Sequence, residues 1–128
     1  MKFREYTTSS GKLVLAGKSA ENNEELVEQV GQNEYVLHTA MPGSPFVDIK
    51  APMDEVSKID LKEAAIFCAR YSQDWRDRKA DVAVDVFIGK DISKEKGMKT
   101  GCFGVKKSQS IVAKKIDIEG FDRAGGLV

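Results

Sequence analysis

From Asp60 to Ile88 the chain reads DLKEAAIFCARYSQDWRDRKADVAVDVFI, and this stretch decides the fold. Leu61, Ala64, Ala65, Cys68 and Tyr71 recur at helical spacing, behind a capping pattern of Asp60 and Glu63. The spacing predicts a helix over about Leu61 to Ser72, whose alanines allow close packing on a sheet. Gln73 to Lys79 reads as a polar connection that leaves the single tryptophan, Trp75, exposed. Val82, Val84, Val86 and Ile88 then alternate strictly, the pattern of a strand with one buried face.

Working outward, Phe3 to Thr7 and Lys12 to Ala16 read as two strands around a turn at Ser9-Ser10-Gly11. A second helix follows, capped by Asn22 with Glu25 three residues on, and stopped at Gly31. Tyr35 to Thr39 and Phe46 to Ile49 are strand candidates. Between them Met41-Pro42-Gly43-Ser44-Pro45 must be a loop, because prolines break the ladder and glycine frees the backbone. Beyond Ile88, Gly89 to Gly101 is a long polar stretch. Cys102 to Val105 and Ser110 to Ala113 suggest a hairpin around Lys106-Lys107-Ser108, and Gly120 to Val128 a loosely held tail. Strands with two inserted helices favour an α+β fold: one domain, a mixed and mostly antiparallel sheet, two main helices.

The 128 residues suffice for a single core without disulfides or metals. Two distant cysteines, Cys68 and Cys102, form neither a disulfide framework nor a zinc site, which fits a reducing, cytoplasmic setting. No apolar run is long enough to span a membrane, and the opening residues contain no signal-peptide core. The formal net charge is zero, yet charge is sorted. Ser19 to Ala64 holds ten acidic residues and three lysines; Val86 to Lys115 holds eight lysines against Asp91 and Glu95. Lysines on an open loop suit phosphates, whose neutralisation releases counterions. A solvated hairpin explains them equally well, and the absence of arginine there argues against bidentate base reading.

Catalytic patterns are weak. His38, the single histidine, could be drawn together with Ser44, but no nucleophile-elbow pattern surrounds that serine. Asp81, Asp85 and Asp91 are explained by a half-exposed strand face and its end. Cys68 sits on the apolar helix stripe. Lysines near Cys102 make only a faint case for a reactive thiol. Tyr6, Tyr35, Trp75, Phe87 and Phe103 are candidates for stacking on bases; a core role is the better reading of each, and explains Trp75 least. Nothing calls for a cofactor or a metal, and the residues argue against an enzyme.

Several segments together resemble the NFACT-R family, the RNA-binding module of the NFACT proteins of ribosome-associated quality control. They are Phe3-Arg4-Glu5-Tyr6-Thr7-Thr8-Ser9-Ser10-Gly11, Ala16-Gly17-Lys18 with Asn23-Glu24, and His38 with Pro42-Gly43-Ser44. Ala64-Ala65 leading to Tyr71-Ser72, Val84-Asp85-Val86, Lys94-Glu95-Lys96-Gly97 and Gly101 complete the set. Val36 stands where the family has tryptophan, and Pro45 where a histidine follows its P-G-S.

The resemblance implies a stand-alone module over residues 1–116, with 117–128 as the tail. It implies non-catalytic binding of structured RNA, such as tRNA or rRNA, linked to ribosome-associated quality control or translation. Arg4, Lys18, Lys90, Lys94, Lys96, Lys99, Lys106 and Lys107 would contact phosphates, and His38, Pro42, Gly43 and Ser44 would shape the loop beside them. The rival expectation is a protein-interaction adaptor that docks on the ribosome or a quality-control factor through the acidic Glu21 to Glu34 region.

Overall fold

The structure is a computed structural model that describes residues 2–123. Six strands form one sheet: β1 (Arg4–Thr7), β2 (Leu13–Ala16), β3 (Tyr35–Thr39), β4 (Val47–Ile49), β5 (Val82–Ile88) and β8 (Gln109–Ala113). Their spatial order is β1-β2-β4-β3-β5-β8, and every pairing is antiparallel. Two short strands, β6 (Ile92–Ser93) and β7 (Gly104–Val105), form a separate ribbon. Among the described residues there are four α-helices: α1 (Ala20–Glu28), α2 (Lys58–Arg70), α3 (Gln73–Arg78) and α4 (Lys115–Arg123). The expected α+β class holds. Among the described residues no helix is long and apolar enough to cross a membrane.

Strand alternation sorts side chains onto two faces. Leu37, Val47, Ile49, Val82, Val84 and Val86 point to one, where Ala64, Ala65, Phe67 and Cys68 of α2 close the main core. Leu15, Val36, Phe46 and Phe87 point to the other and meet Leu26 of α1 in a smaller cluster. Each of the larger buried side chains stabilises the fold by about 1.5–3 kcal/mol. Because α1 covers only part of the second face, His38 and Asp85 remain half-buried beyond it. They share the parity of Val36 and Phe87 and are Cα partners across β3 and β5.

Both main helices begin earlier than expected. Ser57 caps α2: its Oγ accepts from the Asp60 amide at 3.1 Å, while its own amide donates to Asp60 Oδ2 at 3.0 Å. Ser19 caps α1 through the Asn22 amide, and the Lys18 amide donates to Asn22 Oδ1. Asp60 and Asn22 are thus the third helical residues that reach back, and the serine three positions earlier is the cap.

Three further expectations are corrected. Gln73 to Lys79 is not an irregular connection: Ser72 caps α3 through the Trp75 amide, and Trp75 is 2% exposed. Cys102 to Val105 and Ser110 to Ala113 do not pair with each other. Gly104 and Val105 pair with Ser93 and Ile92, whereas Ile111 pairs with Val84 at the sheet edge. Finally, residues 117–123 of the expected tail belong to α4. Ile118 and Phe121 lie one turn apart and are buried against α2, and Asp122 pairs with Arg70. The rest of that tail lies outside the described residues.

Candidate nucleic-acid interface

At the end of the sheet where β2 and β3 finish and β1 and β4 start, the surface opens into a cleft of about 690 Å³. Two glycines fix its walls. A Cβ on Gly17 would meet Asn23 Oδ1 at 1.9 Å, and that oxygen accepts from the Phe46 amide at 3.0 Å. The Gly17–Asn23 pair therefore clamps α1 to the start of β4. Gly43, at φ +85°, would bring a Cβ to within 2.8 Å of Gln73 Cβ, and its carbonyl accepts from the Gln73 amide. Ser44 Oγ accepts from the Thr39 amide at 3.0 Å and donates to the Pro45 carbonyl at 2.8 Å. Pro42-Gly43-Ser44 is thus locked between β3 and α3, and the hydroxyl is spent on structure.

Three cations line this cleft: Arg4, Lys18 and Arg76. Among the described residues none of them is in an ion pair. Arg4 sits over Tyr71, its guanidinium carbon 3.9 Å from the ring centroid, and among the described residues its buried Nε has no hydrogen-bond partner. Such stacking aims an arginine without neutralising it. Arg76 donates to Gln73 Oε1 at 3.0 Å, which steadies it beside the Pro42-Gly43-Ser44 loop.

His38 forms the cleft floor. Its ring packs on Phe46 with centroids 4.6 Å apart, and Nδ1 lies 2.7 Å from the Thr39 carbonyl oxygen. A carbonyl only accepts, so Nδ1 carries the proton. Burial holds the His38 pKa below its ordinary value, partly offset by the bond to Thr39 and the charge of Asp85. Burial favours the uncharged ring, in which Nδ1 donates to Thr39 and Nε2 is an acceptor. The ring makes no hydrogen bond to Ser44.

The expected site residues divide into groups. Arg4, Lys18, His38, Pro42, Gly43 and Ser44 come together in the cleft. Lys106 and Lys107 line an adjoining cleft of about 680 Å³ with Tyr35 and Gln109, and the two clefts share Phe87 and Ser108. Lys94 is exposed but paired: Nζ bonds Glu24 at 2.6 Å and the Cys102 carbonyl at 2.9 Å, and sits over the Phe103 ring. Glu24 also accepts from the Gly101 amide, and the Lys94 bond holds its pKa below the ordinary value. Lys90, Lys96 and Lys99 line neither cleft.

Arg76 is a cleft residue that motif and charge reading missed, since it lies in the supposed polar connection; Tyr71 stood in the Tyr71-Ser72 motif but was given no part in the site. Of the proposed stacking aromatics, Tyr6, Trp75 and Phe87 are buried, while Tyr35 and Phe103 are half-buried. Val36 is fully buried beneath α1, so a side chain at that position meets the core; Pro45 is buried as well.

Fold and cleft define a small antiparallel α+β domain with a cation-lined groove at one end of its sheet. The chain belongs to the NFACT protein RNA-binding domain family, which it matches over residues 2–107. It is 36% identical over 76 residues to the archaeal Rqc2 homologue aRqcH of Methanocaldococcus jannaschii, and the aligned part is 59% of this chain and 11% of that protein. Its fold is similar to the C-terminal part of the fibronectin/fibrinogen-binding protein of Streptococcus suis. That likeness has a TM-score of 0.80 at 24% identity, over 94% of this chain and 49% of that one.

Proposed function

We propose that the chain is a non-catalytic module that binds structured RNA, such as tRNA or rRNA, in ribosome-associated quality control or translation. The observation that carries this reading is the convergence of Arg4, Lys18 and Arg76, none ion-paired, on one cleft beside His38 and Pro42-Gly43-Ser44. Phosphates meet these cations, and Lys106 and Lys107 carry the backbone on into the adjoining cleft. Lys90, Lys96 and Lys99 extend the positive surface outside both, while Lys94 braces the loop that forms one wall. Membership of an RNA-binding family and the likeness to an Rqc2 homologue support the ligand class and the setting.

Chemical-shift mapping with a bulk tRNA tests the location. The expected result is perturbation concentrated at Lys18, His38, Gly43 and Ser108. Perturbation confined to the exposed face of α2, or none at low salt, overturns it.

A further inference from the structure

In a cleft that collects phosphates, Asp85 is out of place, because a carboxylate repels them. It is half-buried on β5, lines the same cleft as Arg4 and Lys18, and among the described residues has neither a hydrogen bond nor an ion pair. Directly across the strand pair is His38, whose Nδ1 is committed to the Thr39 carbonyl and whose Nε2 is left as an acceptor. Two neighbouring strands thus present acceptors alone, three lone-pair-bearing atoms with no donor among them. Phe46 and Phe103, ring centroids 5.2 Å apart and edge to face, wall this patch, and Phe46 also backs His38. The room is adequate, since pockets that hold small ligands run from about 300 to 1,000 Å³.

We propose that Asp85 and His38 form a base-reading subsite that takes an unpaired guanine of the bound RNA. The proposal rests on the RNA-binding reading above and deepens it. Unpaired bases are read on their exposed edges. Guanine alone places two donors side by side on its Watson–Crick edge, the ring N1–H and the exocyclic N2 amino group, and these match the two oxygens of one carboxylate. Adenine and cytosine each set a single amino donor beside a ring acceptor, and uracil sets its N–H between two carbonyls, so each brings an acceptor against Asp85. The nearby arginines hold the flanking phosphates, and Asp85 excludes a phosphate from the base position.

The test uses short single-stranded uridine oligomers that carry one central guanine, inosine or adenine, titrated against the full chain by fluorescence anisotropy. The guanine oligomer is expected to bind about tenfold tighter than the adenine one, in line with a good bidentate contact. Inosine, which lacks the 2-amino group, should lose most of that advantage without any change to the protein. Asp85→Asn should bring the guanine-to-adenine affinity ratio close to one. Equal binding of all three oligomers by the unaltered chain overturns the subsite while leaving RNA binding intact, as does a guanine preference that survives inosine or Asp85→Asn. Failure to bind any oligomer at low salt overturns the subsite; a bulk tRNA titrated alongside decides the RNA reading separately, and failure of both overturns that reading as well.

Discussion

Arg4 shows how one cation of the cleft is held in place. It stands at the start of the edge strand β1, and Tyr71, at the end of α2, supplies the flat surface on which it rests. Its position was legible because the opening segment matches a family motif. Tyr71 was legible as part of a helical stripe and of the Tyr71-Ser72 motif but not as a support for Arg4, because a ring that supports an arginine has the same spacing as a core residue. Asp48 was not singled out at all: between Val47 and Ile49, nothing marks a lone carboxylate as buried. Yet its side chain is fully enclosed, and burial pushes its pKa up to about 7, against the pull of Gln29 and Lys50. A carboxyl raised in this way contributes stability below its unfolded value of 3.8 that is lost as pH rises through about 7. Replacing it with asparagine removes that loss. Urea unfolding at about pH 5 and about pH 8 should therefore show the balance shifting toward Asp48→Asn by on the order of 2 kcal/mol at the higher pH. A difference between variant and parent that does not change with pH contradicts this account of Asp48.

Among the elements, those with a long period were readable and those with a short one were not. Seven residues of β5 and thirteen of α2 give alternation and helical spacing room to repeat. The six residues of α3 bury one large side chain, Trp75, which sets no period. In α4, Gly120 looks like a helix stop, and the apolar face is carried mainly by Ile118 and Phe121. That helix is nevertheless tied into the main core: the Phe121 ring lies 6.0 Å from Phe67 and 5.7 Å from Tyr6, centroid to centroid. Phe121→Ala should lower the unfolding free energy by about 3 kcal/mol in a single cooperative transition. A loss below about 0.5 kcal/mol, the range of ordinary surface substitutions, would mean that α4 is dispensable to the domain. The lysine-rich segment between Gly89 and Lys107 reads as a polar stretch followed by one strand of a hairpin and its turn. It is instead a ribbon and a brace, because Lys94 spends its charge on Glu24 and on backbone carbonyls.

For the whole molecule, a formal charge of zero conceals a division that the fold sharpens. Much of the acidic middle is turned to internal work: Glu24 holds Lys94, Glu34 holds Lys50, Glu63 ties the β1–β2 turn to α2, and Asp60 accepts from the amide of Ser57, the cap of that helix. The cations of the cleft have no such partners. Composition pointed to the C-terminal lysines, whereas the cleft draws Arg4 and Lys18 from one end of the chain and Arg76 from its middle, a convergence that depends on strand order and could not be read from local charge density. The direct test of phosphate binding there is a filter-binding titration of a bulk tRNA across salt, with the unaltered chain and with Arg4→Ala/Lys18→Ala. The account predicts that affinity falls log-linearly with salt, and that the double variant binds more weakly with a slope shallower by about 2, one for each lost phosphate contact. No binding at low salt, or a double variant with the parent's affinity and slope, would contradict it.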